Sequence, residues 1–217
     1  MTQTKDARGI FQAAYENRYT WDSDFPGYTA KLEIKQGDES YTATVEVKND
    51  LSVEVTDIDD EQVKESAYNQ MRDIVTHRKR STFEKSHGKN EFSLGEEDTT
   101  GAVDILVKGD AMGSNYKVRG TEICQVSRVM GPMAFTINTK ESLDTGEGYI
   151  SVGYNAVFRN AKTGDLTGKR DFEESYEKVG NYYLPSRQVI HAIDEGGATT
   201  TTEFNFSEIK LLEPAAV

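Results

Sequence analysis

Residues 28–55 read YTAKLEIKQGDESYTATVEVKNDLSVEV, and the rhythm of this stretch decides the fold. Tyr28, Ala30, Leu32 and Ile34 alternate with Thr29, Lys31, Glu33 and Lys35; the alternation returns in Tyr41, Ala43, Val45 and Val47, and again in Leu51, Val53 and Val55. A period of two puts every apolar member on one side of an extended chain. The segments between, QGDES and KND, are short and rich in Gly, Asn and Asp, as hairpin turns require. Three consecutive antiparallel strands follow, each with a dry face and a wet face.

Upstream, the period changes. Ala7, Ile10, Phe11, Ala14 and Tyr15 fall at i, i+3, i+4, i+7 and i+8, which predicts an amphipathic helix. Downstream, residues 56–80 predict a second. Asp57 or Asp59 is placed to cap its first turn, Val63, Ala67, Met71, Ile74 and Val75 form its apolar face, and Arg78, Lys79 and Arg80 suit the negative end of its dipole.

From about residue 91 the alternation resumes and persists. Val103, Ile105 and Val107 share one face, Met133, Phe135 and Ile137 another, and Ile150, Val152, Tyr154, Ala156 and Phe158 make a longer run. The closing stretch TTTTEFNFSEIKLL is β-branched and aromatic through its centre. No Pro-rich or Ser-rich linker divides these segments, so the reading is one domain over residues 1–217. An antiparallel sheet of about eleven strands twists and curls. The expected class is therefore α+β, a strongly curved sheet with the two helices on its concave side. In YEKVGNYYLPSRQVI, residues 176–190, Pro185 has no N–H for a ladder, which predicts a sheet edge or an irregular point.

Net composition argues against several functions. A formal charge of -12 opposes sequence-independent binding to nucleic acid, and it repels anionic membrane surfaces. No stretch has the length and apolarity to span a bilayer, so membrane insertion is not expected. The first nineteen residues contain no signal-peptide core, so the expected location is the cytoplasm or an equivalent compartment. The one cysteine, Cys124, lies inside a strand pattern and reads as a small buried residue.

Site motifs are scarce. His77, His87 and His191 lie far apart without a partner at zinc-ligand spacing, and DIDDE lacks the glycine and distal glutamate of a calcium loop. GEGYIS departs from the dinucleotide fingerprint at Ser151 and leads into a strand; G-x-S-x-G is absent. No cofactor and no catalytic residue is assigned. Two features remain. Tyr15, Tyr19, Trp21, Phe25 and Tyr28 cluster between the first helix and first strand, either at a pocket rim or pinning helix to sheet. Residues 77–89, HRKRSTFEKSHGK, carry five Lys or Arg against one Glu, either to receive an anionic head group or as a solvated helix end.

The C-terminal pattern YEKVGNYYLPSRQVI, followed by a Gly-rich turn and TTTTEFNFSEIKL, resembles the last hairpins of the LolA/LolB-like lipoprotein-carrier superfamily. The segment FQAAYENRYTWDSDFPGYTAKLEI is similar to the start of a cyanobacterial and plastid family of unknown function, DUF3386-like. The resemblance implies a half-barrel with an apolar cavity beneath the helices. Its implied occupant is a hydrophobic small molecule: a lipid, isoprenoid or pigment. Trp21, Phe25, Tyr28, Phe135, Tyr183, Phe204 and Phe206 are the apolar residues expected to meet it, with Arg78 and Arg80 for an anionic head. The resulting function is that of a binding protein rather than an enzyme. The alternatives are an assembly factor whose filled groove meets a protein partner near Pro185, and an enzyme using the cavity.

Overall fold

The computed structural model describes residues 6–109 and 114–213; residues 1–5, part of the stretch read above for a leader, lie outside them. The class is α+β, as expected. Among the described residues, twelve antiparallel strands form one sheet in the order β3-β2-β1-β12-β11-β10-β9-β8-β7-β6-β5-β4, with three helices. The residues cluster in two compact units. One comprises Met1–Tyr19, Ser81–Asp171 and Ala192–Thr199; the other comprises Thr20–Arg80, Phe172–His191 and Thr200–Val217. The long strands β10 (Leu166–Val179), β11 (Tyr182–Asp194) and β12 (Thr199–Leu211) supply residues to both.

In the second unit, β1 (Gly27–Gln36), β2 (Glu39–Lys48) and β3 (Val53–Thr56) realise the alternation of residues 28–55 except at Leu51, which lies in the turn before β3 with a φ of +67°. Tyr28 opposes Val47, Ala30 opposes Val45 and Leu32 opposes Ala43, and all six are buried. Across the other edge of β1, Leu32 opposes Phe206 and Ile34 opposes Phe204, extending the same dry face. Helix α2 (Glu61–Arg78) packs on β3 and buries Val63, Ala67, Met71, Ile74 and Val75, the stripe read from sequence. Its cap is Asp60, whose carboxylate accepts from the N–H groups of Gln62 and Val63 at 2.9 and 3.0 Å. Asp57 and Asp59 do not fill that position, because the helix starts at Glu61 and a cap must directly precede the first helical residue.

The first unit holds α1 (Ala7–Glu16), α3 (Phe83–His87), β4 (Glu91–Glu97), β5 (Val103–Lys108), β6 (Asn115–Arg119), β7 (Glu122–Met130), β8 (Met133–Asp144) and β9 (Tyr149–Asn160). Helix α1 buries Ala7, Phe11, Ala14 and Tyr15 against β4, β6, β7 and α3. Phe11 is the centre of this core: its ring centroid lies 4.5 Å from that of Tyr116, 5.3 Å from Phe92 and 6.1 Å from Phe83. Helix α3 was not expected. It is a single turn whose apolar side consists of Phe83 and His87, too short a segment for helical periodicity to register.

Where α1 ends, the chain joins the start of β9: Tyr149 N–H donates to Asn17 O and Tyr19 N–H donates to Tyr149 O, both at 2.9 Å. Gly148 makes this approach possible. Its φ is +135°, and a side chain there would collide with Asn17 O and Tyr19 N.

Pro185 corrects the expectation of an edge. It is buried near the start of β11, which lies between β10 and β12, whereas the terminal strands of the sheet are β3 and β4. Cys124, in β7, is half-buried rather than fully buried.

Candidate functional site

Pairing in the first unit sorts its side chains onto two faces. Ile105, Tyr116, Val126, Ile137 and Ala156 follow one another across β5, β6, β7, β8 and β9 on one face. On the opposite face, Gln125 Nε2 donates to Asn138 Oδ1 at 2.7 Å, Asn138 Nδ2 donates to Asn155 Oδ1 at 2.9 Å, and the Ser127 and Thr136 hydroxyls meet at 3.2 Å. One face is thus apolar and the other is a hydrogen-bonded polar ladder.

Helix α1 covers only part of the apolar face. A helix is roughly 10–12 Å across and neighbouring strands are about 4.8 Å apart, so one helix shields two or three strands. Its core includes Ile105 and Tyr116, both buried, and reaches Val126 at its margin. Beyond it, Phe135, Ile137 and Phe158 are only half-buried.

These residues are bracketed by cations. Arg128 on β7 opposes Phe135 on β8, which opposes Phe158 on β9. The two phenyl centroids are 6.4 Å apart, and the guanidinium carbon of Arg170, on β10, lies 5.4 Å from the centre of the Phe158 ring. Arg128 donates to the Tyr116 hydroxyl at 3.1 Å. Among the described residues, neither Arg128 nor Arg170 forms an ion pair. The result is a row across four strands: cation, ring, ring, cation.

The charge of Arg128 is felt nearby. His87, packed against Phe11, Tyr15 and Phe83, has its pKa lowered to about 4, first by burial and then by the positive charges of Arg18 and Arg128. The imidazole is neutral at pH 7 and serves as a packing ring, with Nδ1 3.3 Å from the Asn90 side-chain amide. Burial also pushes the Tyr149 hydroxyl up to about 12; that oxygen accepts the Ile123 N–H at 3.0 Å.

Of the residues anticipated from sequence, Phe135 alone belongs to this row. The other eight are in the second unit. Trp21 and Phe25 stack with centroids 4.2 Å apart, and Trp21 meets Tyr28 edge-on at 6.0 Å; the three are at most 2% exposed. Phe204 and Phe206 are buried on the dry face with Ile34 and Leu32. Tyr183 is half-buried, and its carbonyl accepts from Trp21 Nε1 at 3.2 Å.

Arg78 is buried over the Tyr176 ring and donates to that hydroxyl at 3.4 Å. Arg80 is exposed and donates to Thr20 through Nε and a terminal nitrogen. The Arg78 carbonyl accepts the Trp21 N–H at 2.9 Å. These two arginines thus bind the segment entering β1 to the end of α2. Tyr176 in turn donates to Glu174 at 2.7 Å, and Gln188 donates to Glu174 at 2.6 Å. Burial raises the Tyr28 and Tyr176 pKa values above the ordinary phenol range, which keeps both protonated. This is a fixed polar cluster at the edge of an aromatic core. A shallow groove beside α2 and β3 is lined by Val55, Glu61, Lys64, Glu65 and Tyr68, mostly charged.

The row of Arg128, Phe135, Phe158 and Arg170 was largely missed because two of its members are arginines on strands. The signal that finds it is a register, not a motif. Among the described residues, no group of three His, Cys, Asp or Glu is placed to hold a metal ion, and no helix is long and apolar enough to cross a membrane.

Comparison with known proteins places the fold in context. A LolA superfamily protein, NE2245 from Nitrosomonas europaea, is 12% identical, covers 95% of this chain and 94% of its own, and superposes with a TM-score of 0.34. A DUF1329 family protein from Desulfovibrio piger is 8% identical over 94% and 90% of the two chains, with a TM-score of 0.26. MucB, in its complex with MucA(peri), is 10% identical over 97% and 100%, with a TM-score of 0.23. None of these likenesses is close enough to carry a function across. No curated protein matches the chain. The family model that does match spans residues 2–212, and the chain belongs to that family, described as a protein of unknown function, DUF3386.

Proposed function

We propose that this protein binds an amphipathic small molecule, a lipid, isoprenoid or pigment with an acidic head, on the apolar face of β7, β8 and β9. The observation that supports this reading is the half-buried pair Phe135 and Phe158, flanked by Arg128 and Arg170. Half-buried aromatic and aliphatic side chains on a sheet gain roughly 25 cal/mol per Å² when an apolar chain covers them. Two guanidinium groups without carboxylate partners among the described residues add charge-assisted hydrogen bonds to a carboxylate or phosphate. The apolar row supplies most of the affinity and the arginines set the orientation.

The test is equilibrium binding of a fluorescent polyene fatty acid and of the corresponding fatty alcohol. Phe135→Ala with Phe158→Ala is expected to weaken both probes about tenfold or more. Arg128→Gln with Arg170→Gln is expected to weaken the acid by about tenfold and leave the alcohol nearly unchanged. Failure of the parent protein to bind either probe, or equal loss of both in the arginine variant, overturns the assignment.

A further inference from the structure

The large apolar residues that this protein exposes are not scattered. Among the described residues, eight are at least 36% exposed, and five of them, Val129, Met130, Met133, Leu166 and Ile193, lie where three neighbouring hairpins turn. Single exposed aliphatics are ordinary on any surface; a concentration of them on adjoining turns is not.

The turns belong to one end of the first unit. Met130 opposes Met133 across the β7–β8 turn, and Met133 opposes Asn160 at the end of β9. The β7–β8 and β9–β10 turns are tied together directly: Ala161 N–H donates to Pro132 O at 2.8 Å. Leu166 opens β10, and the Ile193 carbonyl lies close against Gly168 two residues further along.

Cations accompany the apolar residues. Arg128, Arg159, Lys162 and Arg170 stand on or beside the two joined turns, and Asp165 is the carboxylate between them. Lys169 is engaged by Asp171 at 2.8 Å. Asp194 and Glu195, on the β11–β12 turn, bound the basic area on that side; the Asp194 carboxylate is turned onto the Ala198 N–H at 2.9 Å. In a chain with a net charge of -12, this is a local reversal of sign. Charges more than about 8–10 Å from a contact are screened at physiological salt, so a docking surface responds to its own residues.

We infer that this end of the sheet docks on the surface of a bilayer containing anionic lipid. Methionine, valine and leucine on turn tips suit shallow burial at the acyl boundary, with Arg159 and Lys162 placed for phosphate head groups. A protein partner fits less well. A stable protein interface needs about 800 Å² from each side and is depleted in lysine, whereas these are a few side chains on turns. The docking surface also runs into the ligand face: Met130 and Met133 adjoin the Arg128–Phe135 pair on the same side of the strands. An acyl chain leaving a bilayer here meets apolar surface without crossing water. The inference goes beyond the ligand assignment and is tested without a ligand.

The experiment is sedimentation of the full chain with vesicles of phosphatidylcholine alone, or with about one third phosphatidylglycerol, at low and high salt. Binding to the anionic vesicles, falling with salt, is expected. Val129→Ser, Met130→Ser and Leu166→Ser combined are expected to reduce the bound fraction about tenfold, and Arg159→Gln with Lys162→Gln to remove most of the salt dependence. Circular dichroism melts verify that the variants are folded, and the fatty-acid probe assay in the absence of vesicles is expected to be unchanged in both. No sedimentation of the parent, or equal sedimentation of parent and serine variant, overturns the inference. Self-association that the same serine substitutions abolish, without vesicle binding, overturns it in favour of a contact between copies of the chain.

Discussion

The two units use the same alternating code and end with different surfaces. In the second, the apolar faces of β1, β2 and β12 are buried: Leu32, Ile34, Val45, Val47 and Phe204 are each at most 2% exposed. In the first, burial is nearly as complete from β5 to β6, beneath α1, and returns at Tyr149, Ile150 and Ala156 of β9, while Phe135, Ile137 and Phe158 have the same alternation and are only half-buried. Identical periodicity thus yields a closed core in one place and half-buried aromatic rings in the other. What differs is the supply of covering side chains. The second unit has the eighteen residues of α2 and the Trp21–Phe25–Tyr28 cluster, while the first has ten residues of α1 and one turn of α3.

The strongest way to break this comparison is to delete one aromatic from each unit. Trp21→Ala should cost about 3–5 kcal/mol, because a fully buried ring leaves a cavity, whereas Phe135→Ala should cost about 1 kcal/mol. Urea melts of both variants decide it; equal losses would mean that Phe135 is core after all. Next in size is the joint between α1 and β9. Gly148→Ala meets both a positive φ and the backbone of Asn17 and Tyr19, so a loss of about 2–3 kcal/mol is expected in the same melts.

Acid should act on the first unit before the second. The His87 pKa is lowered to about 4 from an unfolded value near 6.5, so the unfolded chain takes up the proton first. The stabilisation that neutral His87 contributes is complete above about pH 6.5 and is lost progressively as the pH falls toward 4. Amide protection factors in α1 and α3, corrected for intrinsic exchange, are expected to drop over that window while those in β1 and β2 hold. His87→Phe should remove the difference.

The smallest expected effect sharpens the second unit. The Tyr28 hydroxyl is fully buried and has no hydrogen-bond partner among the described residues. Tyr28→Phe removes a desolvated group without opening a large cavity, so a gain of about 1 kcal/mol is expected. A clear loss of stability on thermal unfolding would show that this hydroxyl is bonded.

Much of the fold was legible from particular residues. The stripe of Ala7, Phe11, Ala14 and Tyr15 identified α1, and the apolar positions of residues 28–55, Leu51 excepted, became the dry face of β1 to β3. Less of the candidate site was legible. Trp21 attracted attention as the one tryptophan amid tyrosines, yet its ring is stacked on Phe25 and its indole N–H is taken by Tyr183. Arg78 and Arg80 read as a basic patch, but their partners, Tyr176 and Thr20, are distant in sequence. Arg128 and Arg170 gave no signal at all, since an arginine on a strand is ordinary until register sets it beside a phenyl ring.

By itself the sequence determined which residues share a side of each strand and which helical stripe is apolar, because both follow from the local geometry of the backbone. Only the tertiary structure decided that Pro185 lies on an interior strand, and that Phe135, Ile137 and Phe158 of β8 and β9 are left half-buried. It also decided that exposed Met130, Met133 and Leu166 meet on adjoining turns. Those outcomes depend on which segments, far apart along the chain, come to lie against each face, and that is set by packing between elements rather than by the period within one.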